Sequence, residues 1–177
     1  MPYDAKAIAN YFLELAERDG KEISPLKLQK LIYFAHGWHL AIKNAPLLDD
    51  RVEAWEWGPV IPDLYHEFKD FGNGPIKRRA TVWKARGTKL SFTEPTIDSY
   101  PNTEANEFAK ELVNQVWEVY GKFTAIQLSN MTHSPGSPWE QTRQLSEGRK
   151  NTDISDELIG QDFQQKAKAN ESAGSAA

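Results

Sequence analysis

The segment that most constrains the fold is a long helix predicted to begin at Ser24 and Pro25. Serine is a good N-cap, and proline in the next position has no amide hydrogen to lose and a φ angle that is already helical. Apolar residues follow at helical spacing on two faces, Leu28, Leu31, Ile32, Ala35 and Ile42 on one and Leu26, Tyr33, Gly37 and Leu40 on the other. A helix that is apolar on two sides lies at the centre of a domain. Gly37 within it predicts that another backbone or a ring packs closely there, and Trp55 and Trp57 are the candidate rings.

Five further helices are predicted around this central helix. They cover residues 5–18 behind Asp4, 62–71 from Pro62, 104–120 behind Thr103, 124–131, and 155–168. Residues 52–57 alternate in polarity and predict an extended segment that ends at Gly58 and Pro59. Weak strand patterns at 81–83 and 90–92 predict a hairpin, and the Ser, Pro and Gly content of 132–139 predicts a loop. The expected fold is mainly α, a compact single-domain helical fold with a small β-hairpin element.

Length and charge limit the domain organisation and the location. The 177 residues predict one domain, residues 1–169, followed by a disordered tail, residues 170–177, with no large apolar side chain. The N-terminus lacks an apolar signal core, and the longest apolar stretch, residues 31–42, is too short to cross a membrane, so we expect a cytoplasmic protein. The formal charge of −4 argues against broad binding of nucleic acids.

Metal-binding and redox chemistry have little support in the sequence. The absence of cysteine excludes thiolate catalysis, disulfides and iron–sulfur ligation. His36 and His39 lie three residues apart on the central helix, a spacing that can share a metal ion. No zincin motif accompanies them, and packing histidines are commoner. We therefore predict neither a metal site nor a cofactor.

Groups of side chains that could form a catalytic site have equally little support in the sequence. His133 lies near Ser134 and Ser137, but no nucleophile elbow accompanies them. We expect His133 to bond a backbone carbonyl and Trp139 to fill the core. The carboxylates Glu53 and Glu56 belong to one extended segment and are predicted to face opposite sides of it. No catalytic residue is predicted, and the chain is not expected to be an enzyme.

A basic run forms the predicted hairpin. Residues 77–89 contain six basic and no acidic side chains, namely Lys77, Arg78, Arg79, Lys84, Arg86 and Lys89. Three interpretations remain open: a solvated hairpin face, a local phosphate or RNA contact that uses Trp83, and a surface for an acidic protein partner.

Three segments, taken together, resemble a known family. They are LQKLIYFAHGWHLA at 28–41, EAWEWGPVIPDLY at 53–65 and LSNMTHSPGSPW at 128–139. Their order and spacing are similar to those of the Panacea domain, which occurs in SocA-like antitoxins and phage-associated proteins. The matching motif positions are expected to determine the fold, and they are Leu28, Lys30, Leu31, Tyr33, Trp38, Trp55, Gly58, Pro59, Pro62, Tyr65, His133 and Trp139. Trp38, Trp55 and Trp139 are expected to build one aromatic cluster.

The resemblance implies a mostly α-helical antitoxin encoded beside a toxin gene in bacteria or their prophages. It implies neutralisation of a cognate protein toxin by direct contact, and that toxin can be an enzyme that modifies tRNA ends and blocks translation. Two alternatives stay open: an adaptor that delivers the toxin to the ClpXP protease, and a stand-alone phage effector. The family supplies no accepted catalytic residues.

Two sets of side chains are candidates for toxin contact. A chain of net charge −4 can approach a basic active-site cleft, and its candidate acidic contacts are Asp49, Asp50, Asp63, Glu67 and Asp70. Trp83 with Arg78, Arg79 or Arg86 can form a hot spot, while the alternative is that Trp83 only covers the core. The terminal Ala176 and Ala177 resemble an unfoldase degron, although a bland terminus has the same composition.

Overall fold

The computed structural model describes residues 1–86 and 89–174, with side chains for 1–84 and 90–172. Its helices are α1 (Ala5–Arg18), α2 (Pro25–Lys43), α3 (Pro62–Phe68), α4 (Thr103–Tyr120), α5 (Ala125–Thr132), α6 (Pro138–Leu145) and α7 (Asp156–Gly174). Its strands are β1 (Val52–Trp55), β2 (Gly58–Val60), β3 (Val82–Arg86), β4 (Lys89–Thr93) and β5 (Asp153–Ile154). The prediction of a mainly α fold with a small β element is confirmed.

The predicted central helix is α2, and α1, α4, α5 and α7 all pack against it. Its start is capped as expected, because the Ser24 hydroxyl accepts a hydrogen bond from the amide of Lys27 at 3.4 Å. The ring against Gly37, however, is Phe163 of α7 rather than Trp55 or Trp57. The C-terminal helix therefore closes the core over the middle of α2.

The extended segment at 52–57 is in fact the first half of a tight hairpin. β1 pairs antiparallel with β2, with Trp55 opposite Gly58, so that Glu56 and Trp57 form the turn. Gly58 begins the second strand rather than ending the first, and its φ of +105° suits a residue without a side chain. β5 pairs with the other edge of β1 and completes a three-stranded sheet in the order β2-β1-β5.

Four predictions of helix extent differ from the structure. The helix predicted for 62–71 ends at Phe68 as α3, and residues Lys69–Phe71 form a separate short 3₁₀ helix. Asn102 caps α4 in place of Thr103, since its side chain accepts from the Ala105 amide at 3.0 Å. The loop predicted for 132–139 ends early, because Ser137 caps α6 and Pro138 is its first residue. The last helix passes Lys168 and continues to Gly174, so residues 170–174 of the predicted tail are helical. Ala176 and Ala177 lie outside the described residues.

Candidate functional site

The predicted basic hairpin is formed by β3 and β4, and its base is fixed to α1 by one buried side chain. Asn10 donates hydrogen bonds to the carbonyl oxygens of Ala80 and Pro95, each at 3.0 Å, and accepts one from the Ala80 amide at 2.7 Å. Lys6 adds a bond to the Thr81 carbonyl oxygen at 3.0 Å. The chain therefore leaves the body of the protein and returns to it at one anchored point.

Beyond this base the hairpin presents apolar side chains to solvent. Trp83 is 63% exposed and Phe92 is 58% exposed, and their ring centroids lie 3.6 Å apart across the strand pair. Leu90 is also exposed. Trp83 therefore does not cover the core, and the structure leaves the hot-spot interpretation as the one to be tested. We call Trp83, Leu90 and Phe92 the hairpin face.

The arginines predicted to join Trp83 are held by the protein's own carboxylates. Arg78 forms an ion pair with Glu67 and donates to the Glu67 carbonyl oxygen at 2.6 Å. Arg79 bonds to Glu17 of α1 at 2.5 Å. The side chain of Arg86 lies outside the described residues. Arg78 and Arg79 thus fasten the hairpin base to α3 and α1, and neither lies on the hairpin face.

The five candidate acidic contacts fall into two groups. Asp49, Asp63 and Asp70 are exposed. Asp50 accepts a hydrogen bond from the Ala5 amide at 2.7 Å, and burial raises its pKa although that bond opposes the shift. Burial also acts to raise the pKa of Glu67, but the hydrogen bonds from Lys6 and Arg78 outweigh it and hold that pKa below its usual value. Asp50 and Glu67 therefore serve internal contacts.

Some of the family-motif positions meet at the β1–β2 hairpin. Lys30 is fully buried, and its ammonium nitrogen lies 2.8 Å from the Pro59 carbonyl oxygen. The indole of Trp139 donates to the Trp55 carbonyl oxygen at 2.6 Å. His133 bonds the Ser129 carbonyl oxygen at 2.6 Å, which is the kind of backbone contact expected for it, and its ring meets Trp139 edge-on. Lys30 and Trp139 therefore hold the hairpin backbone on both sides of the turn, and His133 packs beside Trp139.

Gly58 is the point where these groups meet. A Cβ at this position would lie 2.6 Å from Nζ of Lys30, 2.9 Å from Oγ1 of Thr132 and 3.1 Å from Cε1 of His133. Burial lowers the pKa of Lys30 to about 7. The cluster is closed to solvent at Lys30, so its geometry fits a structural clamp.

The predicted single cluster of Trp38, Trp55 and Trp139 is wrong. Trp38 packs edge-on against Phe163, with centroids 5.1 Å apart, and belongs to the α2–α7 contact. Trp55 packs against Tyr65 at 4.8 Å, at the hairpin. Two separate groups form because Trp38 lies near the C-terminal end of α2, whereas Lys30, which meets the hairpin, lies about two helical turns earlier. The remaining motif residues Leu28, Leu31 and Tyr33 are buried in the core, and Pro62 begins α3.

The two histidines of α2 face different partners. His36 is buried between the Leu48 amide, 3.4 Å from Nδ1, and the Asp156 carboxylate, 2.9 Å from Nε2. His39 bonds the carbonyl oxygen of Ala45 at 2.7 Å. Within the part of the chain that the structure describes, no three His, Asp or Glu side chains are grouped to hold a metal ion.

Comparison with known proteins identifies the family of this chain, which the geometry alone does not. The family described as Antitoxin SocA-like, Panacea domain matches residues 28–140. The chain belongs to this family. It is also 35% identical over 140 residues to the Antitoxin SocA of Caulobacter vibrioides (strain NA1000 / CB15N), an alignment that covers 77% of this chain and 69% of the relative. No solved structure matches the chain significantly.

The Panacea match does not contain the whole core. Helices α1 and α7 lie outside residues 28–140, yet Phe12 of α1 and Ile159 and Phe163 of α7 are fully buried. The SocA-like domain therefore depends on both flanking helices for its packing. Among the helices of the described residues, none combines the length and apolarity needed to cross a membrane.

Trp57 is the residue that the sequence patterns missed. The sequence predicts Trp57 in an extended segment, as a possible partner for Gly37, whereas it occupies the β1–β2 turn and is 71% exposed. The Gly58–Pro59 pair that follows it is the available signal for a turn next to Trp57. An exposed tryptophan on an internally clamped turn is a second candidate interaction surface.

Proposed function

We propose that this chain is an antitoxin that neutralises a cognate protein toxin, encoded by the adjacent gene, through direct contact. Membership of the SocA-like Panacea family supports the antitoxin role. The observation that carries the contact surface is the exposure of Trp83 and Phe92 on a hairpin whose base is anchored by Asn10.

Large exposed side chains on an anchored support are what a binding surface needs. Trp is enriched in hot spots because one ring removes a large apolar area from water when a partner covers it. The paired rings of Trp83 and Phe92 lose little conformational freedom on binding because they already pack on each other. Inhibition then follows from occlusion of the toxin, and no catalytic group of the antitoxin takes part.

The charged side chains are proposed to guide the approach of the toxin and to support the hairpin, not to form the hot spot. Exposed carboxylates such as Asp49, Asp63 and Asp70 favour approach to a basic, translation-blocking enzyme through long-range attraction. Arg78 and Arg79 instead hold the hairpin in place through Glu67 and Glu17. A cytoplasmic location is the setting in which such a toxin would meet its target.

Co-expression with the neighbouring gene product tests the proposal. Wild type should restore growth and co-purify with the toxin, while Trp83→Ala should weaken the complex at least about 30-fold, as loss of a hot spot of about 2 kcal/mol does. Ile126→Ala is the matched control, because Ile126 is an exposed apolar residue on α5, a helix that packs on α2 and β2. Circular dichroism should show that each variant is folded.

Three results would contradict parts of the proposal. Equal affinity of Trp83→Ala and wild type would exclude the hairpin face as the contact. Rescue without a stable complex, lost in a host that lacks ClpXP, would identify an adaptor instead. A neighbouring gene product that is not toxic would favour a stand-alone phage effector.

A further inference from the structure

The β1–β2 turn displays Trp57 on a backbone that the rest of the protein holds from several sides. The Ser129 hydroxyl donates to the carbonyl oxygen of Trp57 at 3.1 Å. The neighbouring carbonyls of Ala54, Trp55 and Pro59 accept from Arg143 at 3.4 Å, Trp139 at 2.6 Å and Lys30 at 2.8 Å, respectively. These donors come from α2, α5 and α6, so the turn is fixed before any partner arrives.

Trp57 stands between two grooves of about 410 Å³ each. One groove lies toward α6 and β5 and includes Arg143 and Lys150. The other lies toward α2 and α3 and includes Leu26, Tyr65 and Lys69. Trp55 and Trp57 line both grooves, so an extended segment crossing this surface would pack on Trp57 and reach both sides of it. We call Trp55, Trp57, Tyr65, Lys69, Arg143 and Lys150 the Trp57 face.

The charge of the Trp57 face is opposite to that of the whole chain. Three cations, Lys69, Arg143 and Lys150, line the grooves together with one carboxylate, Glu56. None of the three is ion-paired with a carboxylate of the described residues. The chain as a whole carries −4. Cations that form no ion pair with a carboxylate of the described residues, next to exposed rings, are complementary to an acidic segment with an apolar side chain.

We propose that the Trp57 face is a docking site for an extended acidic segment of a protein partner, anchored by one apolar side chain against Trp57. The site shares no residue with the hairpin face and does not depend on the toxin contact proposed above. It would let the protein hold a second partner through a separate surface. A peptide fits better than a nucleic acid because the surrounding net negative charge repels a polyanion that extends past the grooves.

Selection of peptides on the full-length protein tests the site. A display library of random short peptides is enriched on wild type, and the strongest binders are synthesised and titrated by fluorescence anisotropy. The selected peptides should be rich in Asp and Glu around one apolar residue. Trp57→Ala should weaken their binding about tenfold or more, and so should the pair Lys69→Glu and Lys150→Glu, which reverses two of the three positive charges without touching the backbone clamp.

Val119→Ala on α4 is the control variant for this experiment. Val119→Ala removes an exposed apolar group from α4 and should leave peptide affinity unchanged. Failure to enrich any peptide, enrichment of neutral or basic peptides, or equal binding by Trp57→Ala would overturn the proposal. Tighter binding of a single-stranded oligothymidylate than of the best peptide would replace it with a nucleic-acid site. Concentration-dependent dimerisation lost in Trp57→Ala, seen by sedimentation, would replace it with a contact between two copies.

Discussion

Phe163 of α7 lies against the bare Cα of Gly37 in α2, where a Cβ would approach Cε2 of the ring to 2.3 Å. Gly37→Ala should therefore destabilise the protein by about 1–3 kcal/mol through overpacking, although alanine improves helix propensity by about 1 kcal/mol. Urea unfolding followed by circular dichroism measures the difference. Gly160→Ala on α7 is the matched control, because its Cβ would meet Leu40 at an ordinary 3.5 Å and the substitution should be neutral or stabilising. Equal stabilities of the two variants would show that α7 does not close on α2 in this way.

A side chain at Gly58 should destabilise the protein more than a side chain at Gly20, which also has a positive φ. Its φ is +105°, and a Cβ would crowd Lys30 and Thr132, so Lys30 could retreat only by giving up its bond to the Pro59 carbonyl oxygen. Gly20 has a φ of +62°, and a Cβ there would meet no group within 4 Å apart from its chain neighbours, so Gly20→Ala should cost only the backbone strain of about 1–2 kcal/mol. Gly58→Ala should cost more than that in thermal or urea unfolding. A smaller loss at Gly58 than at Gly20 would mean that the motif cluster is loosely packed.

The starts of α2 and α5 could be predicted from the sequence because their signals are local. Ser24 with Pro25 and Thr124 with Gln127 lie within a few residues of the amides that they cap, so a short window contains the whole interaction. α6 carries the same type of signal at Ser137 and Pro138, but the Pro and Gly content of the surrounding segment favoured a loop. Local composition and a local cap gave opposite predictions, and the cap was correct.

The parts that could not be predicted depend on contacts between distant residues. Whether Trp83 is exposed depends on Asn10, which fixes Ala80 and Pro95 from 70 and 85 residues away. The basic residues of the hairpin looked free in the sequence, yet Arg79 pairs with Glu17 across 62 residues. Hydrophobic periodicity contains no information on such pairs, because it reports which face of an element is buried and not what covers it.

Because of Lys30, the stability of the protein should change with pH in the alkaline range. Its pKa in the folded state is about 7, lowered by burial from an ordinary value of 10.5. Between these two values the unfolded chain binds more protons than the folded one, so the free energy of unfolding rises with pH, by up to about 1.4 kcal/mol per pH unit from this group. Below pH 7 both states are protonated, and the contribution to the slope vanishes.

Lys30→Met isolates this effect. Loss of the bond to the Pro59 carbonyl oxygen shifts the stability of the variant at every pH by a similar amount, whereas loss of the titrating amine removes the slope. Urea unfolding of both proteins from pH 7 to pH 10 should give a difference that grows with pH in favour of wild type. Parallel curves for the two proteins would show that Lys30 keeps an ordinary pKa in the folded state.

Charge reversal at Arg79 and Glu17 tests whether Arg79 supports the hairpin or contacts the toxin. Arg79→Glu places two carboxylates together at the hairpin base, where they repel, and it should weaken toxin binding indirectly by loosening the support of Trp83. Because the Glu17 carboxylate is exposed, the expected cost in stability of losing the ion pair is below about 1 kcal/mol. The second change Glu17→Arg restores an ion pair of reversed sign and should recover most of the lost toxin affinity in the co-purified complex. If Arg79 instead touches the toxin, the reversed pair will bind as weakly as Arg79→Glu alone, because the restored support cannot replace the missing positive charge at the interface.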